Sequence, residues 1–271
     1  MSDIIDKTKL EKLYTHYNRR EYVHPDPLEF LYRYDDILDR EIAAMIASSL
    51  AYGKVAQILK SVSLILDEFP NPHANIQASS MKSLQKTFKG FKHRFTTGDD
   101  IAALLNGIRC TVEEHGSLVN CFLDGFSKSD ETILPALTKF AATLTANTCE
   151  GKTYLLPCPS DGSACKRLNL FLRWMVRRDD VDPGGWYNVP SSKLIVPLDT
   201  HMHRICLAMG LTERKQPDLR TACEITSAFR RIAPDDPVKY DFCLTRLGIR
   251  KGLDSSDFLW ENGGPEVKRH A

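Results

Sequence analysis

The sequence has no long uncharged run. The uncharged apolar run at residues 42–52 is about half of what a bilayer crossing needs. The charged first residues, MSDIIDKTKLEKL, contain no apolar signal core. We therefore expect a soluble, cytoplasmic globular protein with no membrane partner.

The chain also lacks an excess of charge of one sign. It has 36 Lys and Arg against 35 Asp and Glu, a net charge of +1. Proteins that bind nucleic acid over a wide surface are usually more basic, so a DNA partner requires the basic groups to lie on one face. Basic clusters occur at 82–94, 166–178 and 246–251, and each alone is typical of a solvated face. The aromatic residues among them have the spacing of core stripes, namely Phe88, Phe91, Phe95, Phe171 and Trp174.

The eight cysteines form no C-x-x-C pair, and no histidine has zinc-finger spacing from two of them. This excludes the common structural zinc and iron–sulfur patterns, so we expect no cofactor and no metal. The cysteines, including Cys149, are interpreted as reduced thiols, most of them in the core.

Alternation of apolar and polar residues is also missing, whereas apolar residues recur at helical spacing along most of the chain, as at 42–50 and 55–66. Gly and Pro interrupt the pattern at short intervals. The sequence predicts an all-α bundle of roughly ten helices. Two longer loops, 150–162 and 178–198, are of the kind that often carries function.

Lys166 is predicted to lie in the first turn of a helix, with Asp161 or Ser163 as its N-cap. The helix dipole disfavours a cation there, so the position favours a neutral amine, the nucleophile of Schiff-base chemistry. The alternative is an ordinary surface lysine beside Arg167.

Asp199, in V-P-L-D-T-H-M-H-R, is predicted to cap the next helix. It either caps only or is a carboxylate facing an activated lysine. His201 and His203 should point to different sides of that helix, which does not suggest a metal pair. His201 is a candidate phosphate donor, or else a capping or exposed histidine.

A helix-opening lysine followed by D-T-H at the next helix resembles the helix-hairpin-helix–GPD superfamily of DNA glycosylases. The long interval between Lys166 and Asp199 is similar to that of archaeal 8-oxoguanine glycosylases. The nearest resemblance is to a bacterial family of unknown function in that superfamily, over about residues 10–253. It is carried by E-I-A-A-M-I-A-S-S-L-A-Y-G-K-V (41–55), H-R-F (93–95), V-P-L-D-T-H-M-H-R (196–204) and D-P-V-K-Y-D-F (236–242).

The resemblance implies a single unit, 1–271, of two helical lobes with the active-site cleft between them. The central lobe would be 45–200, and 1–44 with 201–271 the second. It also implies a monomer acting on damaged double-stranded DNA. Lys166 and Asp199 would be catalytic, and Tyr52 would fill the space left by a flipped base. Further DNA contacts would come from Gly53, Lys54, Gly162, Arg167, His201 and Arg204, and the base pocket from Leu170, Asp241 and Phe242.

The hairpin departs from the family's L-P-G-V-G-x-K, since here it reads L-L-P-C-P-S-D-G-S-A-C-K with Gly162 alone. The expected activity is a bifunctional glycosylase and AP lyase on an oxidised purine, with 8-oxoguanine as first choice. Three alternatives stay open: a DNA-binding protein with the same fold and no catalysis, an all-α enzyme acting on a small molecule, and a purely structural interaction protein.

Overall fold

The computed structural model describes residues 6–148 and 153–249. This part of the chain is mostly helical, which confirms the all-α prediction at that level. The described residues form twelve α-helices: α1 (Lys7–Tyr17), α2 (Ile37–Ser49), α3 (Val55–Asp67), α4 (Pro72–Gln77), α5 (Met81–Thr87), α6 (Gly98–His115), α7 (Leu118–Leu123), α8 (Leu134–Ala146), α9 (Lys166–Val176), α10 (Thr200–Ala208), α11 (Leu219–Ile232) and α12 (Asp241–Ile249). Short 3-10 helices cover Arg20–Tyr22, Pro27–Arg33, Pro159–Asp161 and Ser191–Lys193.

One small antiparallel ladder interrupts the helices. Strands β1 (Lys92–His93) and β2 (Thr96–Thr97) pair with His93 opposite Thr96. Two residues per strand are too few for an alternating pattern, which is why the sequence did not predict this hairpin. The short helices α4 and α5, which bury few apolar residues, were missed as well.

Helix α2 is the central element of the fold. Every residue from Glu41 to Ser49 is buried, because α2 packs against the 3-10 helix Pro27–Arg33 on one side and against α9 on another. The buried Glu41 carboxylate accepts hydrogen bonds from the N–H groups of Leu118 and Val119 and from the indole of Trp186. These hydrogen bonds join α2 to the start of α7, and α9 packs on another side of α2.

A single apolar core runs from α1 to α12. Helix α1 packs on α12 and α12 on α10, while α6, α7 and α8 pack against one another. The division into lobes 45–200 and 1–44 with 201–271 stays a prediction. Cys149 and Lys251, and parts of the 150–162 loop and the 246–251 cluster, lie outside the described residues. Within those residues, no helix combines the length and apolar character that a membrane crossing requires.

Candidate active site

A cavity of about 600 Å³ lies between several elements of the fold. Its walls come from the start of the 3-10 helix Pro27–Arg33, the α2–α3 connection, the start of α3, α9, the start of α10 and α12. The structure brings together in these walls seven of the residues singled out from the sequence: Tyr52, Gly53, Lys166, Arg167, Leu170, Asp199 and Asp241. Lys54, Gly162, His201, Arg204 and Phe242 are not among the lining residues.

Lys166 is the first residue of α9, as predicted. Its N-cap is Cys165, not Asp161 or Ser163, so that part of the prediction was wrong. Cys165 has the left-handed φ of +46°, and its N–H donates to the Ser163 hydroxyl at 3.1 Å. Ser163 therefore stabilises the turn that precedes α9 and does not cap the helix itself. The Lys166 ammonium donates to the Ala51 carbonyl at 3.1 Å, which holds its end at the terminus of α2.

Asp199 caps α10, which confirms the sequence prediction. Its Oδ1 accepts hydrogen bonds from the N–H groups of His201, at 2.9 Å, and Met202, at 2.8 Å. Its Oδ2 lies 3.8 Å from Lys166 Nζ, and both side chains are partly exposed. One carboxylate therefore caps a helix with one oxygen and faces the lysine with the other.

Asp241 and Phe242, neighbours at the start of α12, have different surroundings. Asp241 is a buried wall residue, paired with the Arg173 guanidinium through Oδ2, whereas Oδ1 has no hydrogen-bond partner among the described residues. Burial raises the pKa of its carboxyl to about 6, although Arg173 opposes the shift. Phe242 is buried, with the Arg246 guanidinium 4.5 Å from its ring centroid, and it is not among the residues that line the cavity.

Arg167 is buried rather than presented to solvent, although it was expected to contact DNA. It donates to the carbonyl of Ser49 at 2.9 Å and to the carbonyl of Tyr154. Its guanidinium lies 4.5 Å from the ring centroid of Tyr154 and 5.3 Å from that of Tyr52. These contacts make Arg167 a positioning residue that holds two aromatic rings beside the cavity.

Tyr52 is held from both ends. Its hydroxyl donates to the His93 carbonyl at 2.9 Å and lies 2.6 Å from the Thr96 hydroxyl. The buried His93 ring in turn bonds the Tyr52 carbonyl at 3.1 Å and Ser61 at 2.9 Å. Tyr52 is thus fastened to the β-hairpin, and in this arrangement its ring is a wall of the cavity and not a free wedge.

The connection from α2 to α3 is shaped by Gly53 and Arg94. Gly53 has a φ of +98°, and a Cβ on it would lie 2.7 Å from Cδ of Arg94, so the position requires glycine. Lys54, the next residue, is exposed and precedes the first turn of α3. No side chain among the described residues caps that turn, so the Lys54 ammonium and the N-terminus of α3 form a positive end beside Val55 of the cavity wall.

Gly162 lies on the variant hairpin before α9. It has a φ of +75°, is exposed, and accepts a hydrogen bond from the N–H of Leu219 at 3.1 Å. One face of this glycine is open, since nothing lies within 4 Å of the place of a Cβ. The Gly162 carbonyl is therefore hydrogen-bonded within the protein, while the other side of the residue is open to solvent.

The first turn of α10 separates the two histidines, as expected. His203 is buried and bonds the Arg214 carbonyl at 2.8 Å, whereas His201 is only partly buried and has Arg204 3.4 Å from its Nδ1. Arg204 is exposed. In the described ranges, no group of three or more His, Cys, Asp or Glu residues is placed to hold a metal ion.

Sequence reasoning missed two exposed aromatic residues near this site, Phe95 and Tyr154. Phe95, which was assigned to a core stripe, is 73% exposed at the tip of the β-hairpin, so that assignment was wrong. Tyr154 is 61% exposed and makes an edge-to-face contact with Tyr52, with 5.6 Å between ring centroids. The motif H-R-F was noticed, but only the fold shows that His93 is buried and Phe95 faces solvent.

The comparisons with known proteins give a family but no activity. A family model described as "Protein of unknown function (DUF2400)" matches residues 26–250, most of the chain. The chain belongs to this family. No curated protein and no solved structure matches the chain. The matched range of the DUF2400 model includes every lining residue of the cavity except Pro25.

Proposed function

We propose that this DUF2400 protein is a DNA N-glycosylase with AP lyase activity that removes an oxidised purine from double-stranded DNA. The observation that carries the proposal is the placement of Lys166 Nζ 3.8 Å from Asp199 Oδ2 in the wall of one cavity. Its volume falls within the range of roughly 300–1,000 Å³ that ligand sites usually have. An extruded base is a ligand of this size class.

The first step joins the protein to the sugar. The Lys166 amine, having lost a proton, forms a bond from Nζ to C1′ while the bond from C1′ to the base nitrogen breaks. The base leaves with the bonding electrons and takes up a proton. Asp199, whose carboxylate is already oriented by two N–H donors, stabilises the positive charge that develops on the sugar.

The second step cleaves the strand. Opening of the sugar ring leaves a Schiff base between Nζ and C1′. Loss of a proton from C2′ then forms the C2′–C3′ double bond and breaks the C3′–oxygen bond, so the downstream strand leaves with a 5′ phosphate. Water hydrolyses the remaining Schiff base and regenerates Lys166. Asp199 is the carboxylate within reach of these proton transfers.

The cavity wall supplies groups for a purine base. Leu170 gives an apolar surface, and Asp241 has one oxygen without a partner among the described residues, which would accept a hydrogen bond from an N–H of the base. The choice of 8-oxoguanine rests on the resemblance to the archaeal enzymes. It is the substrate to test first.

The DNA backbone would run across the exposed groups around the cavity. Lys54 and His201 lie at the starts of α3 and α10, where N–H groups and cations favour phosphate. Arg204, one turn further along α10, and Gly162, on the hairpin before α9, are exposed beside them. Arg167 is better assigned to positioning, since its terminal nitrogens already bond two carbonyls.

A DNA-binding protein without catalysis is the second candidate. It is favoured by the contacts of Lys166, because Nζ is already engaged by the Ala51 carbonyl at 3.1 Å and lies 3.8 Å from the Asp199 carboxylate, so these contacts would have to be given up before Nζ could bond a sugar. Such a protein would use the same cavity and surface to recognise a lesion.

Borohydride trapping on duplexes that carry 8-oxoguanine or an abasic site separates these candidates. The glycosylase forms a covalent adduct with both duplexes. A lesion-binding protein shifts the same duplexes in a binding assay and forms no adduct.

A further inference from the structure

The hairpin of β1 and β2 has an unusual tip. Its two connecting residues are Arg94 and Phe95, whereas two-residue hairpin loops usually contain Asn-Gly or Asp-Gly. Arg94 takes the left-handed φ of +53°, which is unfavourable for a side chain of this size. Nothing in the folding of a tight turn calls for these two residues.

The tip presents an aromatic ring with a cation beside it. Phe95 is 73% exposed, and the Arg94 guanidinium lies 5.4 Å from its ring centroid. Tyr154 is a second exposed ring near the cavity, and it contacts the Tyr52 ring edge to face. Exposed aromatic rings flanked by arginine are the stacking surfaces that proteins use for unpaired bases.

The segment around the tip is strongly basic. Residues 69–98 contain five Lys and Arg and no Asp or Glu, although the whole chain is nearly neutral. The five side chains are exposed: Lys82, Lys86, Lys89, Lys92 and Arg94. This local excess matches a polyanion far better than it matches an apolar or basic partner.

Contacts connect the tip to the cavity. The residue before Phe95, Arg94, packs against Gly53, and the residue after it, Thr96, meets the Tyr52 hydroxyl. Tyr52 and Gly53 both line the cavity. A base stacked on Phe95 would therefore lie close to the nucleotide inside the cavity, as does the base left unpaired opposite that nucleotide.

We propose that segment 69–98 is a DNA-contacting arm and that Phe95 at its tip stacks on the unpaired base left when a nucleotide enters the cavity. The lysines of the arm hold the flanking phosphates. This inference rests on the proposed function, because it requires a nucleic-acid partner. Phe95 is then the side chain that fills the space left by the flipped base, and Tyr52 holds the hairpin in place through its hydroxyl.

The test measures binding of the full chain to a duplex with a tetrahydrofuran abasic analogue opposite 2-aminopurine, next to an intact duplex. Phe95→Ala is expected to weaken binding to the abasic duplex by about five- to 100-fold, the usual range for loss of one base–aromatic stack. Binding to the intact duplex should change less. Phe95→Tyr should retain the affinity and the quenching of 2-aminopurine that stacking produces.

Tyr187→Ala is the matched control. Tyr187 is 70% exposed and has the Arg178 guanidinium 5.9 Å from its ring centroid, but it does not line the cavity. Equal effects of Phe95→Ala and Tyr187→Ala, or an effect of Phe95→Ala that is the same on both duplexes, would overturn the assignment.

Covalent trapping through Lys166 distinguishes the two proposals. If borohydride traps an adduct and Phe95→Ala binds the abasic duplex as well as wild type does, the role of Phe95 is overturned and the lyase proposal stands. If Phe95→Ala loses affinity for the abasic duplex selectively and no adduct is trapped, the role of Phe95 stands and the lyase proposal is overturned. Absence of binding to any duplex at low salt overturns both.

Discussion

Lys166 Nζ donates to the carbonyl of Ala51 at 3.1 Å and lies 3.8 Å from Asp199 Oδ2. Three separate elements meet at this amine: the end of α2, the first residue of α9 and the cap of α10. Two N–H donors of α10 hold Oδ1 of Asp199 and so fix the orientation of the carboxylate. In this orientation the second oxygen, Oδ2, faces the lysine. The N-cap of α10, Asp199, is thus also one member of the candidate catalytic pair with Lys166.

Substitution of Asp199 separates capping from catalysis. Asn and Asp are about equally good N-caps, so Asp199→Asn should leave the free energy of unfolding nearly unchanged, while Asp199→Ala should lower it by about 0.5–2 kcal/mol. Cleavage of an abasic duplex by Asp199→Asn should be about 10²- to 10⁴-fold slower, as for loss of an acid–base group. Single-turnover cleavage and urea denaturation measure the two effects.

Asp36→Asn is the control for that substitution. Asp36 caps α2 with bonds to Leu38 and Asp39, in the same manner, and does not line the cavity. Equal cleavage rates for wild type and Asp199→Asn would show that capping is the whole role of Asp199.

Arg167 and Arg204 should differ in what they contribute. Removing the buried guanidinium in Arg167→Met leaves the Ser49 and Tyr154 carbonyls without their donor, so the free energy of unfolding should fall by roughly 1–3 kcal/mol. Arg204→Ala should leave stability unchanged, because Arg204 is exposed, but should lower the slope of log K against log salt by about 1.

The measurements are urea denaturation and DNA binding at several salt concentrations. A lower salt slope for Arg167→Met with no loss of stability would contradict the positioning role that its contacts indicate.

Glu41 should make stability depend on pH. Burial raises the pKa of its carboxyl to about 7, although the Leu118, Trp186 and Val119 donors lower it in part. In the unfolded chain the pKa is about 4.3. Between these values the folded chain holds a proton that the unfolded chain has released, so the free energy of unfolding should fall as pH rises through this window.

Glu41→Gln removes the titrating group and should remove this slope, besides weakening the fold by placing an amide against N–H donors. The experiment compares urea denaturation of wild type and Glu41→Gln at several pH values within the window. A difference between the two proteins that stays constant, or that favours wild type more as pH rises, would contradict the assigned shift.

Much of the fold could be predicted from the sequence. Helical periodicity marks α2, α3 and α6 to α12, because these helices bury an apolar stripe, and Asp199 was predicted as a cap from Pro197 and the apolar run after it. The start of α9 was predicted but its cap was not, since a left-handed Cys165 has no signature in sequence. The hairpin at 92–97 is too short to produce a pattern.

The cavity could be predicted only in part. The lysine and aspartate were recognisable through a resemblance, whereas the carbonyls and ion pairs that hold the site come from distant residues. Arg167 next to Lys166 suggests a surface cluster in sequence, yet the fold buries one and leaves the other partly exposed. Phe95 was assigned to the core because spacing alone does not show that a tight hairpin turns its side chain outward.

Borohydride trapping with purified wild type and Lys166→Gln tests the central claim most directly. The duplexes carry 8-oxoguanine, an abasic site or no damage. The proposed mechanism predicts a covalent adduct of wild type with the first two duplexes, none with the third, and none for Lys166→Gln. If wild type binds the abasic duplex and borohydride traps no adduct, Lys166 is not a Schiff-base nucleophile and the protein is not a lyase.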